Sequence, residues 1–172
     1  SGYTLALGTS NACGNTAASG VYIGGSAYIS NVIVPVIWKD GVAKILSNGT
    51  VSGQINKVVV QGNDVYAAGV IYSNNAVNYD AALWKNDTLQ ALTGTAQAWV
   101  KGLAVDNNNN VYVSGQETPG AKPVLWKNGA RVVYNNPYPT GSYNDITTNG
   151  SDVYIAGELY QSTTVTYLQG FW

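Results

Sequence analysis

The sequence predicts an all-β fold made of four copies of one unit, and three observations carry that expectation. The pattern Val-Tyr-x-x-Gly occurs four times: Val21-Tyr22 to Gly25, Val65-Tyr66 to Gly69, Val111-Tyr112 to Gly115 and Val153-Tyr154 to Gly157. A second marker follows in phase, Trp38-Lys39-Asp40, Trp84-Lys85-Asn86 and Trp126-Lys127-Asn128, with Trp172 at the fourth place. The intervals are unequal in an informative way. Each internal Trp lies 28 residues before the next repeat Tyr, whereas Tyr-to-Trp distances run 16, 18, 14 and 18. A segment of fixed length reads as framework and one of variable length as a surface loop.

Within a unit, four strands are expected. Strand A is a run such as Ile55 to Val60 or Val100 to Val105, ending in a turn such as Gln61-Gly62-Asn63-Asp64 or Asn149-Gly150-Ser151-Asp152. Gly, Asn and Asp tolerate the positive φ that tight hairpins need. Strand B is the Val-Tyr-x-x-Gly segment. Strand C, for instance Ala121 to Trp126, closes on a second hairpin signal, and strand D is Val42 to Leu46 or Ala130 to Tyr134. Runs such as Val58-Val59-Val60 are apolar on both faces, as in sheets covered on both sides. No stretch has helical periodicity.

Four antiparallel strands in about 43 residues, repeated with both faces apolar, are what the blade of a β-propeller requires. An open row of blades would leave apolar ends in water, so ring closure is expected. The reading is a four-bladed propeller over 1–172, with approximate blades 13–50, 51–96, 97–138 and 139–172. The N-terminal strand, 1–12, is expected to supply strand D of the last blade and so staple the ring. Across that junction Trp172 to Tyr22 spans 22 residues instead of 28. The alternative is half of an eight-bladed ring formed by two chains.

Composition excludes several chemistries. Apolar residues make up 45% and charged residues 10%, so solubility rests on Asn, Ser, Thr, Gly and 13 tyrosines. A net charge of −1 offers no basic field, so no nucleic-acid partner is expected. No apolar run is long enough for a membrane-spanning helix, and no membrane insertion is expected. No signal peptide is visible at Ser1, so a mature, trimmed or cytosolic chain is expected. Cys13 is the sole cysteine and histidine is absent, which excludes an internal disulfide framework, a cysteine zinc site, histidine metal sites and histidine-based triads. No metal and no cofactor are expected.

The segment Val100-Lys101-Gly102-Leu103-Ala104-Val105-Asp106, continuing through Asn107 to Asn110 into Val111-Tyr112-Val113-Ser114-Gly115, resembles the repeat of bacterial extracellular β-propellers of the SBBP and NHL-like kind. The match is good in that unit, fair around Tyr66 and Tyr154, and poor around Tyr22. The Trp-Lys-Asn-Gly strand C is not part of that pattern. The resemblance implies a propeller on a secreted or cell-surface protein of bacterial type, and it implies no activity.

Residues recurring in every unit are expected to be structural. Tyr22, Tyr66, Tyr112 and Tyr154, with Trp38, Trp84, Trp126 and Trp172, are assigned to packing between blades. The oxygen-rich run Asp106 to Asn110 lacks the spaced carboxylates of a calcium loop and is read as a turn. Asn48, Asn86 and Asn149 fit the glycosylation acceptor pattern but fall at turns. Cys13 has no neighbouring cation in sequence and is read as a small, buried or half-buried residue.

Residues that break the repeat are the binding candidates. The B–C loops contribute Tyr72, Asn74, Asn75, Tyr79 and Asp80, then Glu117, then Glu158 and Tyr160. The D–A connections add Trp99, Tyr138 and Tyr143. Aromatic planes beside amides and carboxylates suit a sugar or a peptide. A non-catalytic module that binds a glycan or a protein is the first reading, and a structural scaffold or half-propeller the second. A glycosidase or lyase using Glu117 with Glu158, or Asp80, is the third, since two acids about 5–9 Å apart can run such chemistry.

Overall fold

The computed structural model describes residues 4–7, 19–46, 51–73, 78–92, 97–133, 137–161 and 164–171, with backbone alone for 4–7, 73, 91, 161 and 164–171. Every regular element in it is a strand or turn apart from one helical residue at Leu46. Four antiparallel sheets follow one another along the chain. The first holds β1 (Thr4–Leu7), β2 (Val21–Ile29), β3 (Val32–Lys39) and β4 (Val42–Ile45). The second holds β5 (Ser52–Gln61), β6 (Asp64–Ser73), β7 (Asn78–Lys85) and β8 (Thr88–Ala91). The third holds β9 (Gln97–Val105), β10 (Val111–Thr118), β11 (Lys122–Lys127) and β12 (Ala130–Arg131). The fourth holds β13 (Thr140–Asn149), β14 (Asp152–Gln161) and β15 (Thr164–Phe171). In each sheet the strands lie side by side in chain order.

One expectation is overturned. The N-terminal strand pairs with β2, Leu5 opposite Ile23, and so serves as strand A of the first sheet rather than strand D of the last. The physical reason is proximity. The edge of β2 is the nearest unpaired strand edge in sequence, and a short connection costs less closure entropy than one around a whole ring. The fourth sheet consequently has three strands among the described residues. Strand D of the third sheet is also shorter than expected, two residues, with Tyr134 outside the described residues.

The markers have distinct physical roles. Asp40, Asn86 and Asn128, the residues after each Trp-Lys, sit at φ 50°, 47° and 52°, where short polar side chains are tolerated. Each carboxylate or amide oxygen accepts a hydrogen bond from the amide of the repeat Val. The pairs are Val21 N–H to Asp40 Oδ1 at 2.9 Å, Val65 to Asn86 at 2.9 Å and Val111 to Asn128 at 2.8 Å. The same three residues donate their own N–H back to the carbonyls of Val21, Val65 and Val111. The C–D turn is thereby tied to the start of strand B. The preceding lysine lies over the repeat tyrosine, Nζ to ring centre 5.5, 5.3 and 5.3 Å for Lys39–Tyr22, Lys85–Tyr66 and Lys127–Tyr112.

The marker glycine answers a second demand. Strand A carries a one-residue bulge opposite it in the second, third and fourth sheets, between Ile55 and Lys57, Val100 and Gly102, and Tyr143 and Asp145. At the bulge the strand A backbone closes on strand B. A Cβ at Gly69, Gly115 or Gly157 would overlap the carbonyl oxygen of Gln54, Trp99 or Ser142. The extra residue at each bulge is polar: Asn56, Lys101 and Asn144.

The chain divides into two compact units, Ser1–Gln90 and Ala91–Trp172. In the first, β5 lies against β1, β2 and β3. Tyr22 and Ile37 of the first sheet meet Ile55, Val58, Ala67, Ala82 and Trp84 of the second, with Leu46 completing the core. Gly24 makes room for this crossing, since a Cβ there would overlap Ile55 and Val58. In the second unit, β13 lies in the same way against β9, β10 and β11. Ala104, Tyr112 and Leu125 there meet Ile146, Val153 and Ile155.

Repeat aromatics are not equally covered. Tyr22, Tyr66, Tyr112, Trp84 and Trp126 are buried and Trp38 is half-buried, while Trp172 lies outside the described residues. Tyr154 departs from the packing assignment at 41% exposure. Val153 and Ile155 on either side of it turn toward the third sheet. Alternation along β14 sends Tyr154 to the opposite face.

Candidate binding surface

The ends of strand B hold a second column of tyrosines. Tyr28, Tyr72 and Tyr160 each stand six residues after a repeat tyrosine, and Thr118 takes that place in the third sheet. Six residues is an even step, so each shares a face with its repeat tyrosine. Unlike Tyr22, Tyr66 and Tyr112, these residues reach solvent, as Tyr154 of the first column also does. Tyr28 is 70% exposed, and Tyr72 and Tyr160 are half-buried. Tyr28 precedes a two-residue turn, Ser30-Asn31 at φ 47° and 64°, and pairs with Ile33. Tyr28 was not among the sequence candidates, because it lies in the unit that matches the repeat least well. Its six-residue offset from Tyr22 was the available signal.

Tyr72 is flanked in register by Tyr79 on β7 and Ser52 on β5. Two phenol rings thus stand side by side on one face at the end of the β6–β7 hairpin. Burial raises the Tyr72 hydroxyl above its ordinary pKa, so it remains a neutral donor. Asp80, next to Tyr79, is exposed and opposite Ile71. Asn74 and Asn75 lie outside the described residues.

In the second unit, Tyr160 donates its hydroxyl to Glu158 Oε2 at 2.5 Å. Asn144, the bulge residue of β13, donates from Nδ2 to Glu158 Oε1 at 3.5 Å, and Lys101, the bulge residue of β9, donates to Asn144 Oδ1 at 3.1 Å. A bulge re-aims a side chain that regular alternation would commit to one face. Lys101 and Asn144 were also missed, because an extra residue in a strand leaves no mark when the strand is not cleanly alternating.

The other candidates go elsewhere. Glu117 is buried and paired with Arg131, Oε2 to Nη2 2.9 Å, which joins β10 to β12. Trp99 lies within β9 opposite Gln116, half-buried, and Tyr143 lies within β13 at 4% exposure, so neither belongs to a connection. Tyr138, half-buried, does precede β13. Glu117 and Glu158 therefore have different neighbours, one a cation and the other a phenol and an amide.

Asp106 is 2% exposed and its carboxylate is filled from its own turn: Asn108 N–H at 2.9 Å, Asn110 N–H and Nδ2 at 2.8 Å each, and the Tyr112 hydroxyl at 3.3 Å. The Asn110 side chain, followed by the other turn donors, lowers the Asp106 pKa. These oxygens serve the turn. Asp64 is handled alike, with Lys85 at 2.7 Å first, then Asn86 and Tyr66, and its pKa is also lowered. Among the described residues no three of His, Cys, Asp and Glu gather around one point.

No protein-family model matches this chain, and no curated protein matches it.

Proposed function

We propose that this chain is a non-catalytic recognition module whose ligand, a glycan or a protein surface, is held at the B–C ends of its sheets. The observation that carries the reading is the second tyrosine column. Tyr22, Tyr66 and Tyr112 are consumed by packing, whereas Tyr28, Tyr72 and Tyr160 present phenol rings to solvent at the matching place in three sheets. Exposed tyrosines are large, stiff contact surfaces with a polar tip, suited to sugar C–H faces or to peptide.

We further propose that the four sheets are the blades of a propeller, which would bring these strand ends to one face of a ring. Support comes from the two-fold recurrence of one packing mode, strand A of one sheet laid across the sheet before it. Closure within one chain gives a particle of about 18 kDa, and an eight-bladed ring from two chains gives about 36 kDa. The resemblance of residues 100–115 to bacterial extracellular propellers supports the further proposal that the protein acts outside the cell.

A broad glycan array and a pull-down from the native milieu test the function. Binding that falls on Tyr72→Ala and on Tyr28→Ala, with the melting temperature unchanged, is the expected result. Blank results on both platforms would overturn it.

A further inference from the structure

We infer that the B–C end of the first unit takes an arginine side chain of a protein partner, its guanidinium held between the Tyr28 ring and the Asp80 carboxylate. This rests on the recognition reading above and names the partner's chemistry and the place where it docks. Both groups are open to solvent: Tyr28 is 70% exposed and Asp80 is exposed. Register puts them on the facing sides of the first and second sheets. Tyr28 stands six residues after Tyr22, which packs in the core shared by the two sheets, so both side chains leave β2 on one face. Asp80 is paired with Ile71, and Ile71 packs against that same core from the second sheet. The sheets are bonded together at this end. Ile33, the register partner of Tyr28, accepts a hydrogen bond from the Ser52 hydroxyl at 2.9 Å.

Charge and shape select the ligand. Among the described residues no lysine or arginine pairs with Asp80. The molecule shows elsewhere what a tyrosine ring and an aspartate hold in common: Lys85 lies 5.3 Å from the Tyr66 ring centre and 2.7 Å from Asp64, one cation serving both. Tyr28 and Asp80 offer the same two groups to a cation from outside the chain. They stand on different sheets, which favours a long side chain with a broad tip. The stem of an arginine can lie along Ile33 and Ile71, both half-buried, while its planar head stacks on the phenol and forks to the carboxylate. The second unit lacks both groups. Thr118 stands where Tyr28 does and Leu168 where Asp80 does, counted from Tyr112 and, through the β14–β15 register, from Tyr154. Gln116 there donates to the Gly141 carbonyl at 2.9 Å, and Ser26, at the corresponding place in the first unit, is too short to do so. The framework recurs in both units, and the ring and the carboxylate depart from it together.

An NMR titration of the full chain, its tyrosine rings 13C-labelled, with the peptide acetyl-Gly-Gly-Arg-Gly-Gly-amide tests the site. The same peptide with citrulline for arginine removes the charge and keeps the shape, and a glucosamine trimer supplies a cation on a sugar. The Tyr28 signal should shift and saturate with the arginine peptide and hold still with citrulline. Asp80→Asn, at an exposed position, should leave the melting temperature unchanged and weaken the peptide about fivefold, as should Tyr28→Leu. Tyr72→Ala should bind the peptide unchanged, since Tyr72 leaves β6 on the face opposite Ala67 and the shared core. The site is wrong if the arginine peptide leaves Tyr28 unmoved, if citrulline moves it equally, or if Asp80→Asn binds as tightly as the unsubstituted chain. A glucosamine trimer that binds where the arginine peptide does not would overturn the protein partner. In each of these cases the recognition reading stands if an array or pull-down ligand is lost in Tyr72→Ala, and blank results on both platforms defeat it as well.

Discussion

Asn128 does two jobs with one side chain, and its partners show why Asp or Asn follows each Trp-Lys pair. It occupies a positive φ of 52°, accepts the Val111 amide at 2.8 Å and donates from Nδ2 to Asn110 Oδ1 at 2.9 Å. Alanine would lose both bonds and would strain the backbone, costing about 1–2 kcal/mol, whereas glycine would lose the bonds alone. Asn128→Ala should therefore lower the midpoint of urea unfolding more than Asn128→Gly does. Equal midpoints would mean that conformation contributes nothing. At this scale pH also has a defined effect. The carboxyls of Asp64 and Asp106 titrate below their ordinary value of 3.8 when folded. The stability each adds is complete above about pH 4 and is lost as pH falls through the folded value. Thermal melts from pH 7 to pH 2.5 should drop steeply below pH 4, and less steeply in Asp106→Asn.

At the scale of the element, the bulge in strand A decides where glycine must stand. Gly115 faces the Trp99 carbonyl so closely that a methyl group cannot fit, and Gly115→Ala should destabilise by about 1–3 kcal/mol. Gly62, in the β5–β6 turn at φ 59°, has open space where a Cβ would go. Gly62→Ala should cost only the backbone strain, about 1 kcal/mol. A urea titration in which the two variants matched would contradict the close approach. Sequence reading recognised strands A to D and their turns because turn chemistry is local: a Gly, Asn or Asp at positive φ advertises itself. The bulge was not legible. It depends on two strands meeting in register, and Asn56, Lys101 and Asn144 look like ordinary polar residues in a strand. The partner of the N-terminal strand was illegible for a related reason. Its apolar Leu5 and Leu7 suit any open edge, and only the competition between edges assigns them to β2. The Glu158–Tyr160 contact, in contrast, follows from two residues on one strand face and could be read in advance.

At the scale of the whole molecule, the repeat divides its tyrosines into two classes by distance along strand B. Tyr22 and Tyr112 of the first column meet a neighbouring strand A, and the second column stands six residues further along strand B. The fold thus uses its repeated geometry for packing and leaves the strand ends free to differ, with Tyr79 added beside Tyr72 and Glu158 beside Tyr160. The most direct test of this division is an NMR titration of the chain carrying 13C-labelled tyrosine rings, using the tightest binder found on the array. Ring signals of Tyr28, Tyr72 and Tyr160 should shift on saturation while those of Tyr22, Tyr66 and Tyr112 hold their positions. Shifts confined to the first column, with the second unmoved, would contradict it.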